Sequence, residues 1–81
     1  MNFTLYSDII LLQDIPEENL LAGDIGTIVE EHHVSGLETG YSVEFFDMVG
    51  NTVAVVTLPK SYFRQPTNSD RPAVRLMATV R

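Results

Sequence analysis

Glu30-Glu31-His32-His33 is the one cluster in this chain with metal-ligand chemistry. Carboxylate and imidazole groups are donors for zinc and other divalent ions. On a strand, neighbouring side chains point to opposite faces, so only Glu30 with His32, or Glu31 with His33, can share an ion. A third ligand must come from another strand or from a partner, and Glu44 is the candidate within the chain. The plainer reading is a solvated strand end running into a hairpin loop. It is the favoured one, so no metal or other cofactor is expected, and His32 and His33 are kept only as candidate ligands.

Other catalytic chemistries have less to build on. Ser7, Ser35, Ser42, Ser61 and Ser69 are scattered, and none lies in a strand–turn–helix nucleophile elbow. Glu17, Glu18, Glu30, Glu31, Glu38 and Glu44 offer acids in number. Nothing in their order puts two of them in an apolar pocket that would separate their pKa values. A barrel of this size also has little room for a ligand cavity on the order of several hundred Å³. These observations predict no catalytic residue, no enzymatic activity and no small-molecule substrate.

The elements that must position these residues follow from composition and pattern. The chain has 81 residues, 44% of them hydrophobic, which makes one small domain. It has no Cys, so disulfides, thiolate zinc sites and cysteine nucleophiles are excluded. The longest aliphatic run, Ile9-Ile10-Leu11-Leu12, falls far short of the roughly 20 apolar residues that span a bilayer. Met1-Asn2-Phe3-Thr4 lacks the basic start and long apolar stretch of a signal peptide, so a cytoplasmic location away from membranes is expected. The formal net charge of -6 hides a segregation. Residues 1–59 hold ten carboxylates and no Lys or Arg, whereas residues 60–81 hold all five cations and only Asp70.

Residues 4–14 are apolar on both faces of a period-2 pattern, which predicts a strand covered on two sides. Pro16-Glu17-Glu18 opens a helical turn that leads to Gly23. Residues 24–31 form a second strand, in which Gly26 marks a bulge or a close backbone approach. Residues 33–40 make a hairpin loop, and residues 41–47 a third strand with Tyr41, Val43 and Phe45 on one face. A tight turn through Gly50-Asn51 precedes a fourth strand over 52–58, and Pro59 to Phe63 forms a single 3₁₀ turn. Residues 65–72 read as a linker, and the alternation of Val74, Leu76, Ala78 and Val80 against Arg75, Met77, Thr79 and Arg81 predicts a fifth strand over 73–81.

This pattern predicts an all-β fold: a small, SH3-like, partly open barrel of about five strands, with a 3₁₀ turn before the last. Residues 1–64 form its core. Both faces of the third and fourth strands carry apolar residues, Phe46 against Phe45, and Val53 and Val55 against Ala54 and Val56. Something must cover the second face. The chain's own tail, through Val74, Leu76 and Val80, is the first candidate; a partner or a second copy, with residues 66–72 as a swap hinge, is the other.

Several motifs carry resemblances. Gly23-Asp24-Ile25-Gly26-Thr27-Ile28-Val29 resembles the glycine-centred core of KOW-type SH3-like modules, which sit on RNA or ribosomes. Binding to phosphates needs Lys and Arg, and only Lys60, Arg64, Arg71, Arg75 and Arg81 are there to supply them. Nucleic acid is therefore the second reading. Together with Asp14-Ile15-Pro16-Glu17-Glu18, Tyr41-Ser42-Val43-Glu44-Phe45-Phe46-Asp47 and Ala54-Val55-Val56-Thr57-Leu58, the glycine motif resembles a family of small bacterial proteins of unknown function. That family is common in cyanobacteria and SH3-like in character. The resemblance extends to Pro72 through Arg81, and it implies a fold and a bacterial cytoplasmic setting but no catalytic residue. A more distant likeness is to the SH3-like subunit of the photosynthetic NDH complex that docks ferredoxin. An acidic electron carrier needs a basic docking patch, which the unopposed carboxylates argue against.

The sequence as a whole predicts a non-enzymatic interaction module that binds a protein partner or a second copy of itself. An acidic face of Glu17, Glu18, Asp24, Glu30, Glu31 and Glu44 would steer a basic partner, and Phe46, Val53 and Tyr62 would anchor it. An antitoxin-like or immunity-like role, neutralising a basic nuclease, is one specific form of this expectation.

Overall fold

The computed structural model describes residues 2–77. Five strands, β1 (Asp8–Leu11), β2 (Ile25–His32), β3 (Gly40–Phe46), β4 (Thr52–Pro59) and β5 (Phe63–Arg64), form one antiparallel sheet in the order β4-β3-β2-β1-β5. Two 3₁₀ turns, η1 (Pro16–Glu18) and η2 (Lys60–Tyr62), are the only helical segments among the described residues. The sheet curls into a half-barrel, the all-β architecture expected, with a 3₁₀ turn directly before the last strand. No helix among the described residues is long and apolar enough to cross a membrane.

The inner face is the core. Ile9, Leu11, Leu20, Ile28, Tyr41, Val43, Phe45, Ala54, Val56 and Phe63 pack together there, with Phe3, Ile15, Leu58 and Tyr62 at its margin. Each fully buried large apolar side chain contributes about 1.5–3 kcal/mol, against a backbone ordering cost of about 1–2 kcal/mol per residue. Alternation sets the faces: Ile28 pairs with Val43, and Val43 with Val56, all inward.

Two irregularities in β2 place its side chains. The pairing of β2 with β3 shifts between Ile28 and Glu30, so the bulge sits at Val29 and not at Gly26. Gly26 is instead a close approach: a Cβ built on it would stand 2.5 Å from Val43 Cγ1 and 3.0 Å from the Glu44 carbonyl oxygen. The bulge sets Glu31 opposite the inward Tyr41, and Glu30 opposite the outward Ser42.

The identity of the last strand corrects the sequence reading. Phe63–Arg64 pairs with β1 and closes the sheet, while residues 73–77 form no strand; the rest of the expected 73–81 strand lies outside the described residues. Val74 and Leu76, expected to close the barrel, are 80% and 92% exposed. The physical reason lies in the closing pair. Phe63 brings a buried ring beside Leu11, and two residues are too few for any periodicity to show. The first strand is also shorter than the apolar run that announced it, yet Ile9, Ile10 and Leu11 are all buried, as its two-sided pattern required.

Replacing Gly26 with Ala should therefore destabilise the sheet by about 1–3 kcal/mol, as overpacking does. Urea denaturation measures this, and an unchanged midpoint would contradict the close approach.

Candidate functional site

At the inner rim of the sheet, Tyr41 organises a polar chain. The Phe3 backbone N–H donates to the Tyr41 oxygen at 3.0 Å, and the Tyr41 hydroxyl donates to Glu31 Oε2 at 3.1 Å. His33 Nε2 stands 3.0 Å from Glu31 Oε1. The rings of Phe3 and Tyr41 pack at 5.0 Å, with the Lys60 ammonium 5.6 Å from the Phe3 centroid. Burial pushes the Tyr41 hydroxyl up, and its bond to Glu31 adds to that. Hydrogen bonding with His33, and less so with Tyr41, holds Glu31 below the usual carboxylate range against some desolvation. The chain of bonds staples the N-terminal segment to the sheet, and it engages every one of these polar groups internally.

On the outer face, His32 Nε2 lies 2.8 Å from Ser42 Oγ and 3.6 Å from Glu30 Oε1, and Ser42 Oγ lies 2.6 Å from Thr57 Oγ1. The histidine–serine contact is one that sequence reading missed, because the two residues are brought together only by the register after the bulge. It is not a nucleophile arrangement. A serine triad uses one imidazole nitrogen for the serine and the other for the acid, whereas here Nε2 faces both. Ser42 is also buried between strands and shared with Thr57. The pairs Glu30–His32 and Glu31–His33 are those the strand pattern allowed, but they lie on different faces. Glu44, the expected third ligand, pairs with Thr27 and accepts a hydrogen bond from the Thr52 hydroxyl. Among the described residues no three His, Cys, Asp or Glu side chains are placed to hold a metal.

The chain's charge segregation resolves at the start of β2. Gly23 takes a positive φ of 96° in the turn from Leu21, and Asp24 Oδ2 accepts the Leu21 N–H at 2.9 Å. Asp24 so held receives Arg75 through two bonds, Nε to Oδ1 at 3.0 Å and Nη2 to Oδ2 at 2.6 Å. A second two-point pair, Arg64 with Asp70 at 2.6 and 2.9 Å, closes the loop that leaves β5. Arg64 first, then the Thr67 N–H, holds Asp70 far below the usual carboxylate range. The tail so tied crosses the outer face of the sheet.

Beneath it lies a groove of about 810 Å³. The little room expected inside so small a barrel is a separate matter: this space is outside the barrel, between sheet and tail. Its apolar lining includes Ile10, Ile25, Phe46, Val53, Val74 and Met77. Ile10 is only 6% exposed, although it faces away from the core. The expected anchors Phe46 and Val53 meet here, at 45% and 48% exposure. Tyr62 does not join them, because it packs against the inner core. The expected acidic face is likewise divided. Glu18 and Asp24 border the groove, Glu17 stands exposed beside them on η1, Glu44 lies on the outer face, and Glu30 and Glu31 sit at the far end of β2 on opposite sides. Asp47 was not anticipated. It borders the groove and organises the β3–β4 turn, accepting the Val49 and Asn51 N–H groups at 3.0 and 2.9 Å. Those bonds, Asn51 foremost, lower its pKa.

The basic residues form no free stripe. Arg64 and Arg75 are bound to carboxylates, Arg71 donates to the Asn68 and Asp70 carbonyl oxygens, and Arg81 lies outside the described residues.

Both the polar chain and the tail tie can be tested in solution. Because the folded-state pKa of Glu31 is lowered, its contribution to stability is complete above its ordinary value of 4.5 and is lost as pH falls through the lower folded value. Wild type should exceed Glu31→Gln in urea midpoint at neutral pH, and the gap should narrow as pH falls below 4.5; a gap that does not vary with pH contradicts the chain of bonds. Asp24→Asn should speed trypsin cleavage of the Arg75–Leu76 bond by about two- to fivefold, the scale of a part-exposed ion pair, with little change in the core's thermal midpoint. Equal cleavage rates would show that the pair does not hold the tail.

Comparison with curated proteins and with solved structures finds no match. A family model does match, over residues 5–65, a span that takes in all five strands and both 3₁₀ turns and ends as the linker begins. The chain belongs to the family described as a domain of unknown function, DUF4926.

Proposed function

We propose that this domain is a non-enzymatic protein-interaction module that works in the cytoplasm without a cofactor and docks a basic partner on the outer face of the β3–β4 hairpin. One observation carries the reading: Phe46, Val53 and Val55 project outward and stay about half exposed, although the tail runs over the groove that Phe46 and Val53 line. Apolar and aromatic residues on a rigid sheet suit an interface centre. Met48 and Val49, at the tip of the hairpin, extend the same surface and are largely exposed.

Charge selects the class of partner. Glu18 and Asp47 border the groove, Glu44 lies beside Val55, and Glu17 is close by on η1. Of the three arginines that line the groove, Arg64 and Arg75 are engaged by Asp70 and Asp24, and Arg71 donates to carbonyl oxygens of its own loop. The field presented outward is therefore negative, which steers a basic surface and repels a phosphate backbone. A basic nuclease held inactive by such a surface is the antitoxin-like form of the proposal.

A tagged chain should capture a basic protein at low salt and release it at high salt. Glu17→Lys combined with Glu18→Lys should weaken capture about tenfold, and Phe46→Ala should weaken it without changing its salt dependence. Capture of the same protein by wild type and both variants alike overturns the proposal. Nuclease-sensitive retention of RNA would move the reading to nucleic acid.

A further inference from the structure

We propose that the free edge of β4 is a self-pairing surface, on which a second copy of this chain adds its own β4 across a two-fold axis at Val55. The inference rests on the reading of the domain as an interaction module and names one of its partners. Among the described residues, β4 lies at the end of the sheet and pairs only with β3. Its other edge therefore presents a row of backbone N–H and C=O groups with no neighbouring strand.

Edge strands are ordinarily protected by a charge, an early proline or a bulge, or are kept short. This one carries only a bulge, at Val53 beside its first residue. Thr52-Val53-Ala54-Val55-Val56-Thr57-Leu58 holds no charged residue, its one proline is the terminal Pro59, and its pairing with β3 is regular from Ala54 to Leu58. β2, by contrast, ends in Glu30, Glu31 and His32, and β5 is only two residues long. β4 is thus the one long, uncharged edge that the sheet offers, in a chain otherwise rich in carboxylates.

Symmetry then selects the occupant. Two identical strands related by a two-fold axis perpendicular to the sheet run antiparallel, so the pairing closes with one contact and leaves no new edge. The uncharged span 52–58 centres on Val55. In that register Val55 meets Val55 of the second copy and Ala54 meets Val56, while Thr57 comes opposite the bulged Val53. Val53, Val55 and Thr57 share the outer face, so the pairing joins two exposed β-branched strips into one and buries no carboxylate. A basic partner strand, by comparison, would find no charge on this edge to answer its own.

Light scattering across a concentration series should show a monomer–dimer equilibrium. Because each copy carries a formal charge of -6, added salt should strengthen it, the reverse of its effect on a basic partner. Val55→Lys, at a site 55% exposed and so tolerant of a polar side chain, should shift the chain to monomer, and Thr57→Lys, as an independent edge charge, should do the same. Hydrogen exchange of amides 52–58 should slow as wild-type concentration rises and should not depend on concentration in the variants. A monomer at every salt and concentration, or a dimer that persists in both variants, overturns the pairing. Capture of a basic protein by a monomeric chain would overturn it and leave the proposed function standing, whereas a dimer that captures nothing would do the reverse.

Discussion

The two-point contact between Asp24 and Arg75 decides how the outside of this barrel is arranged. β1 is apolar on both faces, so Ile10 has to be covered by something other than the core. The tail passes over that side of the sheet, and the pair at the head of β2 fixes where. With both groups part-exposed, such a pair contributes about 0.2–1 kcal/mol, less than the backbone ordering cost of even one or two residues. The tail's apolar side chains add little, since Val74 and Leu76 face water. The groove is therefore roofed by the most weakly held part of the structure, over a floor that belongs to its most strongly held part.

The charge segregation along the chain acquires a physical meaning in this arrangement. Ten carboxylates on residues 1–59 repel one another, and the cations that could relieve them all lie later in the sequence. Two of the five are used in local neutralisation: Arg75 returns to the barrel, while Arg64 clamps Asp70 within its own loop. Exposed carboxylates remain on η1 and on the hairpin, with Arg71 exposed on the tail. Part of the segregation that looked like a candidate nucleic-acid stripe in the sequence is, in the fold, an internal tie through Arg64 and Arg75.

How much of this arrangement is legible in the residue order depends on whether the information is local. Alternation of Tyr41, Val43 and Phe45 against Ser42 and Glu44 marks β3 and its faces, and the two-sided apolar run at Ile9–Leu11 announces that β1 is covered twice. The 3₁₀ turn after Pro59 is equally readable. The closing strand is not. Alternation over residues 73–81 is a stronger pattern than two residues at 63–64 can make, and what decides for the latter is a long-range contact between Phe63 and Leu11. The candidate site fails in the same way. A bulge at Val29, invisible in the residue types, decides which of Glu30 and Glu31 faces outward and brings His32 to Ser42. Tyr62, expected as a surface anchor, is turned inward by the same η2 that delivers Phe63 to the core.

The outward apolar residues of the hairpin gain significance from that failure. Had the tail closed the barrel, Phe46, Val53 and Val55 would have been ordinary second-core residues and β4 an ordinary central strand. With β5 formed by Phe63 and Arg64, the tail only roofs a groove over this side of the sheet, Phe46, Val53 and Val55 stay about half exposed, and the β4 edge has no neighbouring strand among the described residues. The two surfaces differ in kind. The face combines an aromatic ring with a carboxylate border and so discriminates by charge, whereas the edge is uncharged and discriminates by backbone pairing and shape. The two proposed partners, a like-charged copy and a basic protein, would meet adjoining parts of one hairpin under opposite dependence on salt, which makes ionic strength the variable that separates them.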